Sequence, residues 1–300
     1  MKTSPLFFLI VYTFAACSPT SKKKNALVFE SDFGLKDGAV AAMKGVAFSV
    51  SNELNIFDIT HEIPPYNIWE ASYRLDQTVR YWPKGTVFVS IVDPGVGSGR
   101  KSIVLKTKTG HYIVSPDNGT LTLVAEHLGI EEIREIDEGK NRLSNSKESY
   151  TFHGRDVYAY TGARLASGVI SFEEVGKKRN HQVVELNYQN AIYENHVIRG
   201  NIPVLDIQFG NIWSNINKAT FEKLKVNFGD SVNVKIFHDK QVVYEDVIVF
   251  SKTFSDVKPG FALGYLNSLL NFSIGLNQRS FADQFKVSSG ADWSVELIKK

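Results

Sequence analysis

From Ala26 onward, short apolar runs alternate with amphipathic stretches. Residues 27–29 read as a strand, 39–50 as a helix, 54–59 as a strand and 68–82 as a helix. The alternation continues through strands at 87–92, 102–106 and 112–114 and helices at 121–128 and 157–166. Strands separated by helices predict a mostly parallel sheet, whose ligands gather beyond the carboxyl ends of its strands.

The texture changes after Gly168. Residues 173–180 are a polar stretch containing Lys177, Lys178 and Arg179, and short strands at 197–209, 231–237, 242–250 and 273–276 follow, punctuated by Gly and Asn. Val232, Val234 and Ile236 alternate with a period of two, as in a half-buried antiparallel strand. The expected fold is therefore α/β. An N-terminal α/β domain with a mostly parallel sheet spans 26–172, a linker spans 173–180, and a smaller antiparallel, barrel-like β domain spans 181–298.

The first residues carry a different signal. Lys2 precedes an apolar run over 6–16, which is about half of the roughly 20 residues a membrane-spanning helix needs. The run ends in Phe14-Ala15-Ala16-Cys17, and a polar stretch with Lys22, Lys23 and Lys24 follows. This predicts a secretory signal over 1–17 and a tether over 18–25. Small residues before a cysteine resemble a bacterial lipobox, so Cys17 is expected to become the lipidated anchor of an exported lipoprotein. Cys17 is the only cysteine of the chain, which excludes an intrachain disulfide and cysteine chemistry in an active site. With 34 basic against 32 acidic residues, the charge balance points to no nucleic-acid partner.

Five clusters of polar residues fall at predicted strand ends or glycine-bearing turns, where function is built on α/β sheets. Asp32 follows the opening strand and suits either a ribose, whose two hydroxyls a carboxylate accepts, or a helix cap, a role open to Asp37. Asp58, Thr60, His61 and Glu62 end the second strand. Alternation along a strand should turn Asp58 and His61 apart, which favours a hydrogen-bonded turn over a metal site completed by Asp117. Asp93 heads a turn containing Pro94, Gly95 and Gly97, with Arg100 at its far side. Asp117 and Asn118 sit in a turn ahead of a helix, and His153 stands between Phe152 and the charged pair Arg155 and Asp156. In the second domain, Asp206, Phe209, Asn211 and Trp213 place aromatic rings beside a carboxylate and an amide, a combination suited to an adenine.

Taken together, Asp93 to Arg100, Phe152 to Asp156 and Asp206 to Trp213 resemble the S-adenosylmethionine hydroxide adenosyltransferase family, which is related to the bacterial fluorinases and chlorinases. The resemblance runs from about residue 27 to 293. It implies hydrolysis of S-adenosylmethionine to adenosine and methionine, with Asp93, Arg100 and His153 handling the water and Asp32 holding the ribose hydroxyls. Asn211, aided by Phe209 and Trp213, would recognise adenine, and Asp206 the methionine amino group. The halogenases carry a tyrosine where Asp93 stands, which favours water over halide as nucleophile. They also grip the methionine carboxylate with a serine and an arginine. Here Ser268 is kept and Leu269 stands at the arginine position. The resemblance further implies a homotrimer, and neither a metal nor a cofactor. A non-catalytic nucleoside-binding lipoprotein is the alternative.

Overall fold

The computed structural model describes residues 26–300. The expected signal, Cys17 and the tether lie outside these residues.

The first sheet is assembled from β1 (Ala26–Ser31), β2 (Asn55–Thr60), β3 (Val87–Ile91), β4 (Ser102–Thr107), β5 (Tyr112–Pro116) and β6 (Ile130–Glu135), in the order β2-β1-β3-β5-β4-β6. Helices α1 (Ala39–Val50), α2 (Ile68–Val79), α3 (Thr122–Leu128) and α4 (Tyr160–Ala166) cover it, and a π-helical turn at Gly154–Ala159 leads into α4. Strands β2, β1, β3 and β5 are parallel; β2 is an edge strand without buried residues, whereas the inner strands β1, β3 and β5 are buried by apolar residues such as Leu27, Phe29, Val87, Val89 and Val114. Strand β4 runs antiparallel to both its neighbours, and its connection to β5 at 108–111 is far too short for a parallel crossover.

Strand β6 escaped the sequence reading. Four of its six residues, Glu131, Glu132, Arg134 and Glu135, are charged, as befits an edge strand. The polar stretch expected to be a linker is docked on that edge. Glu135 N–H donates to Lys177 O at 2.9 Å and Arg179 N–H to Ile133 O at 2.9 Å, while Val175 is buried in the first core.

The second sheet has nine strands: β7 (Ile192–Glu194), β8 (Val197–Ile202), β9 (Val204–Asp206), β10 (Asn211–Asn217), β11 (Ser231–His238), β12 (Gln241–Phe250), β13 (Ala262–Leu266), β14 (Asn271–Leu276) and β15 (Gly290–Lys299). Their order is β7-β8-β15-β11-β12-β13-β14-β10-β9, antiparallel apart from the β12–β13 pair. Short helices α5 (Lys218–Phe221) and α6 (Phe281–Phe285) plug the core around Phe221, Phe272 and Phe281. The strand expected over 197–209 is broken at Pro203, which has no N–H to give a ladder. Strand β15, also missed, lies in mid-sheet between β8 and β11.

Helix α2 joins the two halves. Trp69 Nε1 donates to Pro203 O at 2.9 Å and Arg74 Nη2 to Leu205 O at 3.2 Å, which ties the helix to the strand that delivers Asp206.

Candidate active site

The residues singled out from the sequence form two groups. In the first, Asp93 leaves the carboxyl end of β3 in a turn pinned by Asn118, whose Nδ2 donates to Val92 O at 2.8 Å. Arg100 closes that turn. Its Nε donates to Asp93 Oδ1 at 2.9 Å and its Nη2 to Asp93 Oδ2, a bidentate pair. Nη1 donates to Ser102 Oγ at 3.0 Å, and Nη2 also reaches His153 Nδ1 at 3.2 Å. The side chains of Asp93 and Arg100 are only 6% and 10% exposed, so this charge pair is screened little by solvent.

The proton positions follow from these contacts. A guanidinium has donors only, so His153 Nδ1 must accept, and the proton of the neutral imidazole sits on Nε2. Burial lowers the His153 pKa below its ordinary value. Glu138 opposes this, and Arg100 and Arg142 add to it. For Arg100, burial disfavours the charge, but the hydrogen bond to Asp93 and the field of Tyr158 and Asp93 outweigh it and raise its pKa. The Tyr158 hydroxyl, pushed far up by burial and then by Asp93, stays neutral and shares a hydrogen bond with Ser102 Oγ at 3.2 Å. Ser102, Asn118, Glu138 and Tyr158 therefore support the triad. None was singled out for this from the sequence except Asn118, and there only as part of a turn; their contacts span up to 56 residues of chain.

Asp32 follows β1, beside β3 in the sheet, so it shares the carboxyl edge with Asp93. Its Oδ2 accepts from Tyr66 N–H at 2.9 Å. The cap position of α1 is Gly38, and Asp37 just ahead of it meets the first N–H of the helix, its Oδ1 accepting from Ala39 N–H at 2.8 Å. Phe33 meets Phe152 edge-on at 5.7 Å, which brings the Asp32 and His153 loops together.

The second group surrounds a cavity of about 790 Å³ in the β domain, lined by Asp206, Phe209, Asn211, Trp213 and Ser268 with Phe254. Asp206 and Asn211 pair across β9 and β10, and Asn211 Nδ2 donates to Asp206 Oδ2 at 3.2 Å. The turn between them needs Gly210, at φ +67°, where a Cβ would stand 2.0 Å from Ser280 Oγ. Leu269 does not face this cavity. It packs in a cluster with Trp69, Tyr73 and Tyr188. Asp32, Asp93, Arg100 and His153 do not line the cavity either.

The expectation that Asp58 and His61 point apart is overturned. His61 Nε2 lies 3.1 Å from Asp58 Oδ1, because the end of β2 is irregular where it pairs with β1 and the chain leaves the strand before His61. The hydrogen-bonded turn is what forms. Asp117 is engaged elsewhere, its Oδ1 accepting from Val184 N–H at 2.8 Å, so these three side chains make no common metal constellation.

A mostly parallel α/β sheet with a buried Asp–Arg–His cluster at its carboxyl edge, joined to a β domain with an aromatic, amide-bearing cavity, defines a two-domain protein suited to a small polar ligand with an aromatic base. The family follows from the comparison with known chains. Residues 27–176 match the SAM hydroxide adenosyltransferase N-terminal domain and residues 200–294 its C-terminal domain, so the chain belongs to this family. It is 36% identical over 272 residues to the (R)-S-adenosyl-L-methionine hydrolase of Methanocaldococcus jannaschii, covering 89% of this chain and 90% of that one. It is 27% identical over 303 residues to the fluorinase of Nocardia brasiliensis, covering 93% and 99%. A crystal structure of an uncharacterized conserved protein from Thermotoga maritima matches with a TM-score of 0.84 at 36% identity, over 91% of this chain and 100% of that one.

Proposed function

We propose that this chain hydrolyses S-adenosylmethionine to adenosine and methionine by attack of water on the ribose 5′ carbon. The observation that carries the reading is the buried Asp93–Arg100–His153 cluster, with its protons disposed as above. His153 Nε2–H donates to the water oxygen and orients it. Each Asp93 oxygen keeps a free lone pair beside its bond to Arg100, so Asp93 receives the proton as the C–O bond forms. The C–S bond breaks, the electron pair stays on sulfur, and the sulfonium leaves as the neutral thioether of methionine. A nucleophile gaining hydroxide character and a sulfonium lose their charges together, which a preorganised, water-poor site favours. Asp32 holds the ribose, Asn211 with Phe209 and Trp213 the adenine, and Asp206 and Ser268 the amino-acid end.

The test incubates the full chain with each sulfonium epimer of S-adenosylmethionine in halide-free buffer and follows products by chromatography. Equal amounts of adenosine and methionine, abolished by Asp93→Ala, are expected, with the (R) epimer preferred as in the name of the archaeal relative. Tight retention of a nucleoside without products would replace this reading with a capture protein.

Two further features belong to the same proposal. The first is a homotrimer in which the β-domain cavity of one copy faces the triad of the next. It is supported by the separation of the two groups within one chain and by exposed apolar residues beside each, Leu35 and Tyr66 near Asp32, Ile207 and Phe209 near Asp206. Mixing inactive Asp93→Ala and Asn211→Ala chains should then restore activity. The second is lipid anchorage at Cys17, supported by the apolar run and small residues before it. A Cys17→Ser chain should lose incorporation of labelled fatty acid and leave the membrane fraction.

A further inference from the structure

A chain of hydrogen bonds behind Asp32 has no part in the chemistry above. Ser31 Oγ lies 2.7 Å from His61 Nδ1, His61 Nε2 lies 3.1 Å from Asp58 Oδ1, and Lys44 Nζ donates to Asp58 Oδ2 at 2.6 Å. A carboxylate only accepts, so His61 carries its proton on Nε2 and Ser31 donates to Nδ1. The Ser31 oxygen in turn accepts from Phe33 N–H at 3.3 Å, and Gly34 N–H donates to His61 O at 2.7 Å. Burial disfavours the Asp58 charge, but the bonds from Lys44 and His61 outweigh it and hold its carboxyl below the ordinary value.

By composition this is a Ser-His-Asp relay, yet Ser31 is wholly buried and its hydroxyl is directed at His61, so no substrate carbon can reach it. What the relay grips is the loop of residues 31–34, on both sides of Asp32. The same segment after β2 holds Asp32 itself, through Tyr66 N–H on its Oδ2. Asp32 is therefore clamped from the 58–66 segment at three points: Ser31, Asp32 and Gly34.

We infer that His61, braced by Asp58 and Lys44, is a positioning residue that fixes the Asp32 carboxylate for the two ribose hydroxyls of a nucleoside. The inference rests on the ribose role given to Asp32 above. Losing the brace lets the loop sample orientations in which the carboxylate cannot meet both hydroxyls, so the loss falls on the ribose contact alone. Adenine and methionine contacts come from the other domain and stay intact.

The experiment measures dissociation constants of the full chain for adenosine and for 2′,3′-dideoxyadenosine by calorimetry, independent of turnover. The unaltered chain should favour adenosine by about tenfold or more, the worth of one well-made hydrogen bond to a charged group. His61→Ala should bring that preference close to unity without changing the dideoxy affinity, and should raise KM more than it lowers kcat. In an Asp32→Ala chain the His61 change should have no further effect on the preference, since both act on one contact. Ser31→Ala, which removes a single hydroxyl, should reduce the preference in the same sense and serves if His61→Ala fails to fold. Equal weakening of both nucleosides, or an undiminished preference in both variants, would overturn the inference. An unaltered chain that does not distinguish the two nucleosides would instead remove the ribose role of Asp32, and the inference with it.

Discussion

Replacing Glu30 by glutamine should flatten the pH dependence of stability between about pH 4.5 and 8. Glu30 lies on β1 with no exposed surface, accepting from Ser90 Oγ at 2.6 Å through Oε2 while Oε1 has no partner among the described residues. Burial raises its pKa from 4.5 to about 8, opposed by the Ser90 bond and Arg74. In this window the unfolded chain has released the proton and the folded chain retains it. The folded state therefore binds more protons, and stability falls as pH rises. At about 1.4 kcal/mol per unit, the shift corresponds to a loss of roughly 5 kcal/mol across the window. Glutamine keeps the Ser90 bond and titrates nowhere. Its amide protons lack acceptors, which costs about 1–3 kcal/mol at every pH. Urea unfolding at pH 5, 6.5 and 8 separates the two effects. The variant should start less stable at pH 5 and become the more stable chain by pH 8. Parallel stability curves for the two chains would refute the argument, because they would mean that Glu30 ionises alike in both states.

Other expectations follow from single observations. Since burial lowers the His153 pKa from 6.5, the neutral imidazole persists below that value. The acid limb of kcat/KM should lie below pH 6.5, where protonation of Nδ1 ends its bond to Arg100; a limb above 6.5 would contradict the buried, neutral assignment. Gly210→Ala should lower thermal stability by about 1–3 kcal/mol or more and weaken nucleoside binding, because the added Cβ meets Ser280 in a left-handed turn; an unchanged melting temperature would count against the tight turn. Phe209→Ala should raise KM about tenfold with the melting temperature unchanged, since the ring is 65% exposed and available to stack on a base; loss of stability without loss of binding would assign it to the fold instead.

Much of the site was legible because its residues sit where sequence patterns are clearest. Asp32 and Asp93 each follow an apolar strand run and precede a glycine-bearing turn, so both fall at the carboxyl edge from local reasoning alone. Asp206 to Trp213 lie within a few residues of one another on β9 and β10, and their shared cavity follows from one tight turn. The relation of Asp58 to His61 was misread for a local reason. Side-chain alternation holds only while a strand lasts, and the irregular end of β2 turns the imidazole back onto the carboxylate. Strand β6 was hidden because an edge strand with one solvated side carries charge rather than an apolar run.

By itself, the sequence determined the α/β then β-rich order of elements and the candidate residues at strand ends. These depend on periodicity, turn chemistry and short-range composition, all carried within a few residues. Only the tertiary structure decided that Arg100 binds Asp93 and His153 at once, that Ser102 and Tyr158 lie behind Arg100, and that His61 braces the Asp32 loop across 30 residues. It also decided that neither Leu269 nor the triad lines the β-domain cavity. Such pairings are set by which strands lie side by side and where their loops end, and no local window of the sequence contains that.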